Sequence, residues 1–238
     1  MRILAIESSG LVASVAVTEN DTLLGEYTMN HKKTHSQTLL PMLDALAKMI
    51  ELDMNTIDAI AVSMGPGSFT GLRIGSATAK GLGLALDKPI IPVPTVDALA
   101  FNLWGTSKQI CPLMDARRQQ VYTGLYTFAN GELVTKISQC AVDIGEIVEE
   151  VNKTGHPVIF LGDGVPVFKE YLAEHLTIPY EFAPATCHIQ RAVSVAALAE
   201  RLYAKGIVET AREHKPDYLR LSQAERELKE KERDFKLC

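Results

Sequence analysis

Glu7 and Asp115 each end a short apolar run, 2–7 and 110–115, and each is followed by a turn: Ser8-Ser9-Gly10 after the first, Arg117-Arg118-Gln119 after the second. Hydroxyls lie close to the first acid at Ser8, Ser9 and Ser14. Carboxylates with neighbouring hydroxyls could serve a Mg²⁺–phosphate site, because Mg²⁺ commonly takes one or two carboxylates plus substrate phosphates. The competing reading is structural, since acids and hydroxyls at such positions also cap hairpins. His31 and His35 are four apart, a spacing that binds metal when both lie on one helix. Lys32 and Lys33 between them repel a cation, and the pair straddles a loop-to-helix junction. Lys32, Lys33, Arg117 and Arg118 could touch RNA, although short basic runs are also ordinary solvated turns.

These residues need elements to hold them. The run Ser63-Met64-Gly65-Pro66-Gly67-Ser68-Phe69-Thr70-Gly71-Leu72-Arg73-Ile74-Gly75 joins an apolar strand, 57–62, to a small-residue helix, 70–86. Gly65 and Gly67 permit a sharp turn and Pro66 stiffens it. The spacing matches neither a dinucleotide nor a P-loop fingerprint. Gly71, Gly75, Ala79 and Gly83 recur every four residues and so share one helix face. Glycine inside a helix costs about 0.5–1 kcal/mol relative to alanine. Such a stripe is expected where another helix comes close, and we expect it to face a partner. The helix at 36–50 carries Leu39, Leu43, Leu46 and Ile50 at helical spacing, with Pro41 expected in its first turn.

The order of elements repeats. Strands at 2–7, 13–17 and 22–29, the helix at 36–50, the strand at 57–62, the helix at 70–86, a strand at 90–93 and a helix at 96–104 form a β-β-β-α-β-α-β-α unit. Strands at 110–114, 121–128 and 133–138, a helix at 144–153, a strand at 158–161, a helix ending at 175, a strand at 180–182 and a helix at 193–205 form it again. Glu7 corresponds to Asp115, and the glycine turn at 65–67 corresponds to the one at 162–164. Duplicated α/β units of this kind, each with a mixed sheet and helices, resemble the actin-like ATPase fold. The expected division is an N-terminal lobe over 1–105, a C-terminal lobe over 106–207 and a charged segment over 208–238, in which Glu225 with Lys229 and Glu227 with Lys231 support a solvated helix.

The 238 residues suffice for one large or two small domains without staples. A net charge of -5 argues against a strong nucleic-acid binder acting alone. Cys111, Cys140, Cys187 and Cys238 form no C-x-x-C pair, which points to a reducing compartment and not to a disulfide framework or zinc site. No run reaches transmembrane length and the start lacks a signal-peptide pattern, so a cytoplasmic location is expected.

The chain resembles the TsaB (YeaZ-like) family over nearly its whole length. The resemblance rests on ILAIESSG, on His35-Ser36-Gln37-Thr38-Leu39-Leu40-Pro41, on GPGSFTGLRIG, on Asp115-Ala116-Arg117 with Val121-Tyr122, and on Tyr218-Leu219-Arg220. The family often has Asp where this chain has Glu7. The resemblance implies a scaffold subunit, without catalytic residues or cofactor of its own, that pairs with the related TsaD and works with the ATPase TsaE. Together they make N6-threonylcarbamoyladenosine next to the anticodon of tRNAs reading A-starting codons. It implies tRNA contact mainly through the complex, pairing through helices 36–50 and 70–86, and a homodimer when alone. The expected interface residues are His35, Leu39, Met42, Leu46, Gly71, Gly75, Ala79 and Gly83. The H-x-x-x-H metal motif of TsaD falls on Thr95 and Leu99, which cannot replace histidine ligands, so no metal is expected here. In actin-like kinases paired acids hold Mg²⁺, so an independent ATP-dependent phosphotransferase using Glu7 and Asp115, with Ser8 and Ser9 on phosphate, is the alternative reading. A metallopeptidase reading fails on the same missing histidines.

Overall fold

The apolar runs fold into two five-stranded mixed sheets. The computed structural model describes residues 1–31 and 34–219. The first unit comprises β1 (Arg2–Glu7), β2 (Val12–Glu19), β3 (Thr22–Asn30), α1 (His35–Met49), β4 (Ala59–Gly65), α2 (Phe69–Leu86), β5 (Ile90–Pro94) and α3 (Thr95–Phe101). The second comprises β6 (Gln109–Asp115), β7 (Gln120–Ala129), β8 (Glu132–Asp143), α4 (Ile144–Thr154), β9 (Val158–Leu161), α5 (Val165–His175), β10 (Tyr180–Phe182) and α6 (Ala192–Ala204). Strand order is β3-β2-β1-β4-β5 in one sheet and β10-β9-β6-β7-β8 in the other, the same order read from opposite ends. In each, the first strand is antiparallel to the second and parallel to the fourth. The duplication expected from the element order is therefore present strand for strand.

Helices do not respect the sequence boundary between the units. α6, from the second unit, packs its Ala192, Val195, Ala196 and Ala199 against Ile3, Ala5, Ala16 and Ala61 of the first sheet. α3, from the first unit, packs Val96, Leu99 and Ala100 against Ile110, Met114, Tyr126 and Leu161 of the second. Polar ties reinforce this packing. Tyr126 donates to Asp97 at 2.7 Å, and Asn102 donates to the carbonyl of Ile189 at 2.7 Å. Glu26 of β3 receives Arg191 and the amide of Val193 at the start of α6. A division at 105 thus corresponds to the sheets but not to the packed bodies, because α6 packs on the first sheet and α3 lies between the two, with Ala98 and Phe101 against the first and Val96, Leu99 and Ala100 against the second.

The chain after α6 also returns to the first unit. Glu209 and Ile90 exchange backbone hydrogen bonds at 2.8 Å, extending the first sheet at its β5 edge. Lys80 donates to the carbonyl of His214 at 2.7 Å, and the amide of Asp217 to Met64 at 2.7 Å. Tyr218 then stacks on Phe69, ring centroids 4.5 Å apart. Residues 208–219 are accordingly a strap along α2. The charged run expected at 222–236 lies outside the described residues. Pro41 sits in the second turn of α1 and not the first; its ring and Gln37, whose carbonyl it cannot engage, lie on the exposed face.

Candidate functional site

Glu7 is carried by β1 to the inner end of the space between the lobes, but it does not open into it. Its side chain is 1% exposed. Oε1 accepts from the backbone amide and the hydroxyl of Ser9, both at 2.6 Å, and Oε2 accepts from the Ser63 hydroxyl. Burial pushes the carboxyl above the usual range; hydrogen bonds from Ser63 and Ser9 and the nearby His35 oppose that push. The neighbouring hydroxyls are engaged as well. Ser8 donates to the carbonyl of Gly71 at 2.9 Å, and Ser14 accepts from the amide of Ala192 at 3.0 Å. The glycine turn covers this loop: Ser68 donates its amide to the carbonyl of Ser9 at 2.6 Å, and a Cβ on Gly67 would stand 2.3 Å from that oxygen. Of the two readings of the first acid, the structural one fits: Ser8, Ser9 and Ser14 are engaged within the protein, and Glu7 does not face Asp115 across open space. The 65–68 turn packs directly on the Ser9 carbonyl.

This burial gives a pH prediction. A carboxyl raised above its unfolded value contributes stability at low pH that is lost as pH rises through the folded pKa. Glu7→Gln keeps an acceptor oxygen for Ser9, turns an NH2 donor toward the Ser63 hydroxyl, which can then accept, and removes the buried charge. The wild type should lose stability relative to Glu7→Gln as pH rises above 4.5, the ordinary value for Glu. Paired thermal melts from pH 4 to 8 are the check; parallel curves would contradict the reading.

The second acid does reach open space. Asp115 accepts from the amide of Arg117 at 2.8 Å and pairs with its guanidinium at 3.3 Å. It lines a cleft of about 720 Å³ between the lobes, whose walls include Gly10, Asn30, Phe69, Tyr122, Asp163 and Tyr218. Burial raises the Asp163 carboxyl to about 6, and the charge of Asp115 adds to the shift. Arg117, Arg118 and Gln119 are exposed and all left-handed, with φ of 65, 56 and 61°. Lys32 and Lys33 lie outside the described residues. His35 donates Nε2–H to the carbonyl of Gly10 at 2.9 Å, tying α1 to the Ser8–Gly10 loop, while His31 is exposed. A carbonyl can only accept, so the contact fixes the tautomer.

Thr95 and Leu99 are built into the interior. The Thr95 hydroxyl accepts from the amide of Gly65 at 3.2 Å, and Leu99 is 1% exposed among Ile110, Met114 and Tyr126. Among the described residues no three His, Cys, Asp or Glu side chains come together as a metal site. Cys111, Cys140 and Cys187 are free thiols; Cys238 is outside the described residues.

The small-residue stripe of α2 requires a correction. It packs inside its own lobe. A Cβ on Gly71 would lie 2.1 Å from the carbonyl oxygen of Ser8, and one on Gly75 2.2 Å from the Ser8 hydroxyl. Ala79 is fully buried, and Gly83 lies against Ala211 and Ile90. On α1, Leu39, Met42 and Leu46 belong to the core beneath the first sheet, and His35 holds the Gly10 loop. The close contact implied by the glycines is with this chain's own Ser8 loop. The outward side of the helix pair carries other residues: Leu40 and Met49 on α1, and Ala77, Gly81 and Leu84 on α2. Leu40, Met49 and Leu84 are 55, 76 and 59% exposed. Sequence reasoning also missed Gln190, Glu26 and Arg191. No motif marks them; the packing of α6 on the first sheet brings Gln190 and Arg191 there, where Glu26 of β3 receives Arg191.

Comparison with known proteins agrees with this architecture. Residues 22–228 match the family model described as TsaD, tRNA N6-adenosine threonylcarbamoyltransferase. The tRNA threonylcarbamoyladenosine biosynthesis protein TsaB of Bacillus subtilis is 35% identical over 94% of this chain and 96% of its own length. The protein of that name from Buchnera aphidicola of Schizaphis graminum is 33% identical over 68% of this chain and 78% of its own. YeaZ from Pseudomonas aeruginosa superposes with a TM-score of 0.77 at 25% identity, covering 92% of this chain and 99% of that one. No helix among the described residues is long and apolar enough to cross a membrane. With a duplicated actin-like fold and these relatives, the chain belongs to the TsaB family of tRNA threonylcarbamoyladenosine biosynthesis proteins.

Proposed function

We propose that this chain is a non-catalytic scaffold subunit of tRNA threonylcarbamoyladenosine synthesis. It pairs with TsaD through the outward face of α1 and α2, and works with TsaE on a tRNA held mainly by the complex. The observation that carries this reading is the state of the first acid. Glu7 is sealed, its neighbouring hydroxyls are engaged, and the loop at 65–68 closes over the Ser9 carbonyl. A phosphotransferase built on Glu7 and Asp115 would need Glu7 open to the cleft. The exposed leucines and methionine on the helix pair supply an apolar surface whose natural cover is another helix pair, and the match to the TsaD family model supports a shared ancestry with the partner. The same face would close a homodimer when TsaD is absent.

The test has two arms. The purified chain should show no ATP hydrolysis, and it should form a one-to-one complex with TsaD by analytical ultracentrifugation. Turnover of ATP by the chain alone would favour the phosphotransferase, and failure to associate with TsaD would remove the scaffold reading.

A further inference from the structure

Only two residues of the strap at 208–219 are buried: Ala211, 6% exposed against Gly83 of α2, and His214, 1% exposed. Thr210 and Glu213 close a short turn around Ala211, and Arg212, Glu213 and Lys215 are exposed. The rest of the strap is held by backbone bonds to Ile90 and Met64, by Lys80 on the carbonyls of Arg212 and His214, and by Tyr218 on Phe69. His214 is therefore its one large buried side chain, and it is titratable where an apolar residue would hold at any pH. The ring is neutral in this setting. Nδ1–H donates to Oε2 of Glu209 at 3.0 Å, because a carboxylate can only accept. That leaves Nε2 bare, buried and without a hydrogen-bond partner among the described residues. Protonation would put a second N–H and a positive charge there, away from water and from an acceptor. Lys80 of α2 repels that charge and Glu209 of the strap attracts it, while the β5 residue that meets the strap is the apolar Ile90. Burial outweighs Glu209 and holds the imidazole below the usual 6.5. With the folded value depressed, the stability this group contributes is present above pH 6.5 and is lost as pH falls through the folded value.

We propose that residues 208–219 are a pH-sensitive latch pegged by His214: protonation expels the ring and releases the strap from α2 and from the β5 edge. Tyr218 and Leu219 form part of the cleft wall, so release also widens the space between the lobes. The backbone of Ile90, no longer paired with Glu209, becomes an open sheet edge. Burial raises the Glu7 and Asp163 carboxyls, so their effect on stability has the opposite sign and a global melt would mix the two. The strap must therefore be read locally. This inference does not depend on the scaffold reading.

The experiment is NMR-detected amide exchange of the full chain from pH 7.5 to 5, corrected for the intrinsic pH dependence of exchange, with the His214 ring resonances followed over the same range. The amides of Glu209, His214 and Asp217, bonded to Ile90, Thr210 and Met64, should lose at least tenfold protection as pH falls below 6.5. Their midpoint should match that of the ring, while β1 and α6 keep their protection. His214→Phe, which fills the site and does not titrate, should remove the pH dependence. If that variant leaves the strap unprotected at pH 7.5, His214→Gln, which keeps an amide donor for Glu209, is read in its place. Unchanged protection of the wild-type strap down to pH 5, a midpoint that differs from that of the ring, or the same pH-dependent loss in the non-titrating variant would each overturn the proposal.

Discussion

Gly71→Ala is expected to destabilise the chain by about 3 kcal/mol or more, whereas Gly81→Ala, ten residues along the same helix, should stabilise it by up to about 1 kcal/mol. Intrinsic preference favours alanine at both sites, so local propensity alone gives both changes the same sign. Tertiary packing separates them. At Gly71 the new methyl carbon would stand 2.1 Å from a backbone oxygen, that of Ser8. The loop cannot retreat, because Glu7 holds the Ser9 amide and the turn at 65–68 holds the Ser9 carbonyl. At Gly81 nothing lies within 4 Å. Overpacking a tight site typically costs about 1–3 kcal/mol and sometimes more; a backbone clash in a pinned loop belongs at the upper end. For a chain of this size each kcal/mol moves the melting temperature by roughly 2–4 °C. Thermal unfolding followed by circular dichroism should place Gly71→Ala well below the wild type and Gly81→Ala at or above it. A Gly71→Ala protein as stable as the wild type would mean that the stripe does not pack on the Ser8 loop.

That stripe shows where sequence stops being sufficient. Gly71, Gly75, Ala79 and Gly83 do share one face and do mark a close approach, as their spacing implies. Ala77, Gly81 and Ala85 form a second small-residue row two positions on, about 200° around a helix of 3.6 residues per turn. Periodicity identifies both rows and assigns neither to the interior. The same holds for Leu39, Met42 and Leu46 against Leu40 and Met49 on α1. Glu7 is a parallel case. Its place at a strand end was legible, but its closure depends on a turn some sixty residues later folding over Ser9. Strands and helices themselves were legible because their apolar residues follow periods of two and 3.6. β8 is the main boundary that differs: it runs on to Asp143, since residues 139–143 are held by pairing with β7 and not by an alternating pattern of their own. The packing of α6 on the first sheet, and of α3 between both, leaves no local trace at all. Both are small-residue apolar helices that could cover either sheet, and for α6 chain order suggests the wrong one.

Leu84→Glu is expected to abolish pairing with TsaD while leaving the fold unchanged. Leu84 is 59% exposed, so its loss removes little from this chain's own core. A charge placed at the centre of an apolar helix contact is left desolvated and unpaired, which costs several kcal/mol in interfaces of this kind. A loss of about 3 kcal/mol corresponds to a drop in affinity of roughly a hundredfold. Affinity for TsaD by titration calorimetry, with melts of the lone variant as the fold control, is the measurement. Wild-type affinity would place the partner on another face.

The central claim is that the chain works through this surface and not through the sealed acid. Reconstituted tRNA modification with TsaD and TsaE, run side by side with Glu7→Gln and Leu84→Glu, tests it most directly. The scaffold account predicts near wild-type modification with Glu7→Gln and almost none with Leu84→Glu. Loss of modification in Glu7→Gln with folding and TsaD pairing intact, or full modification in Leu84→Glu, would contradict it.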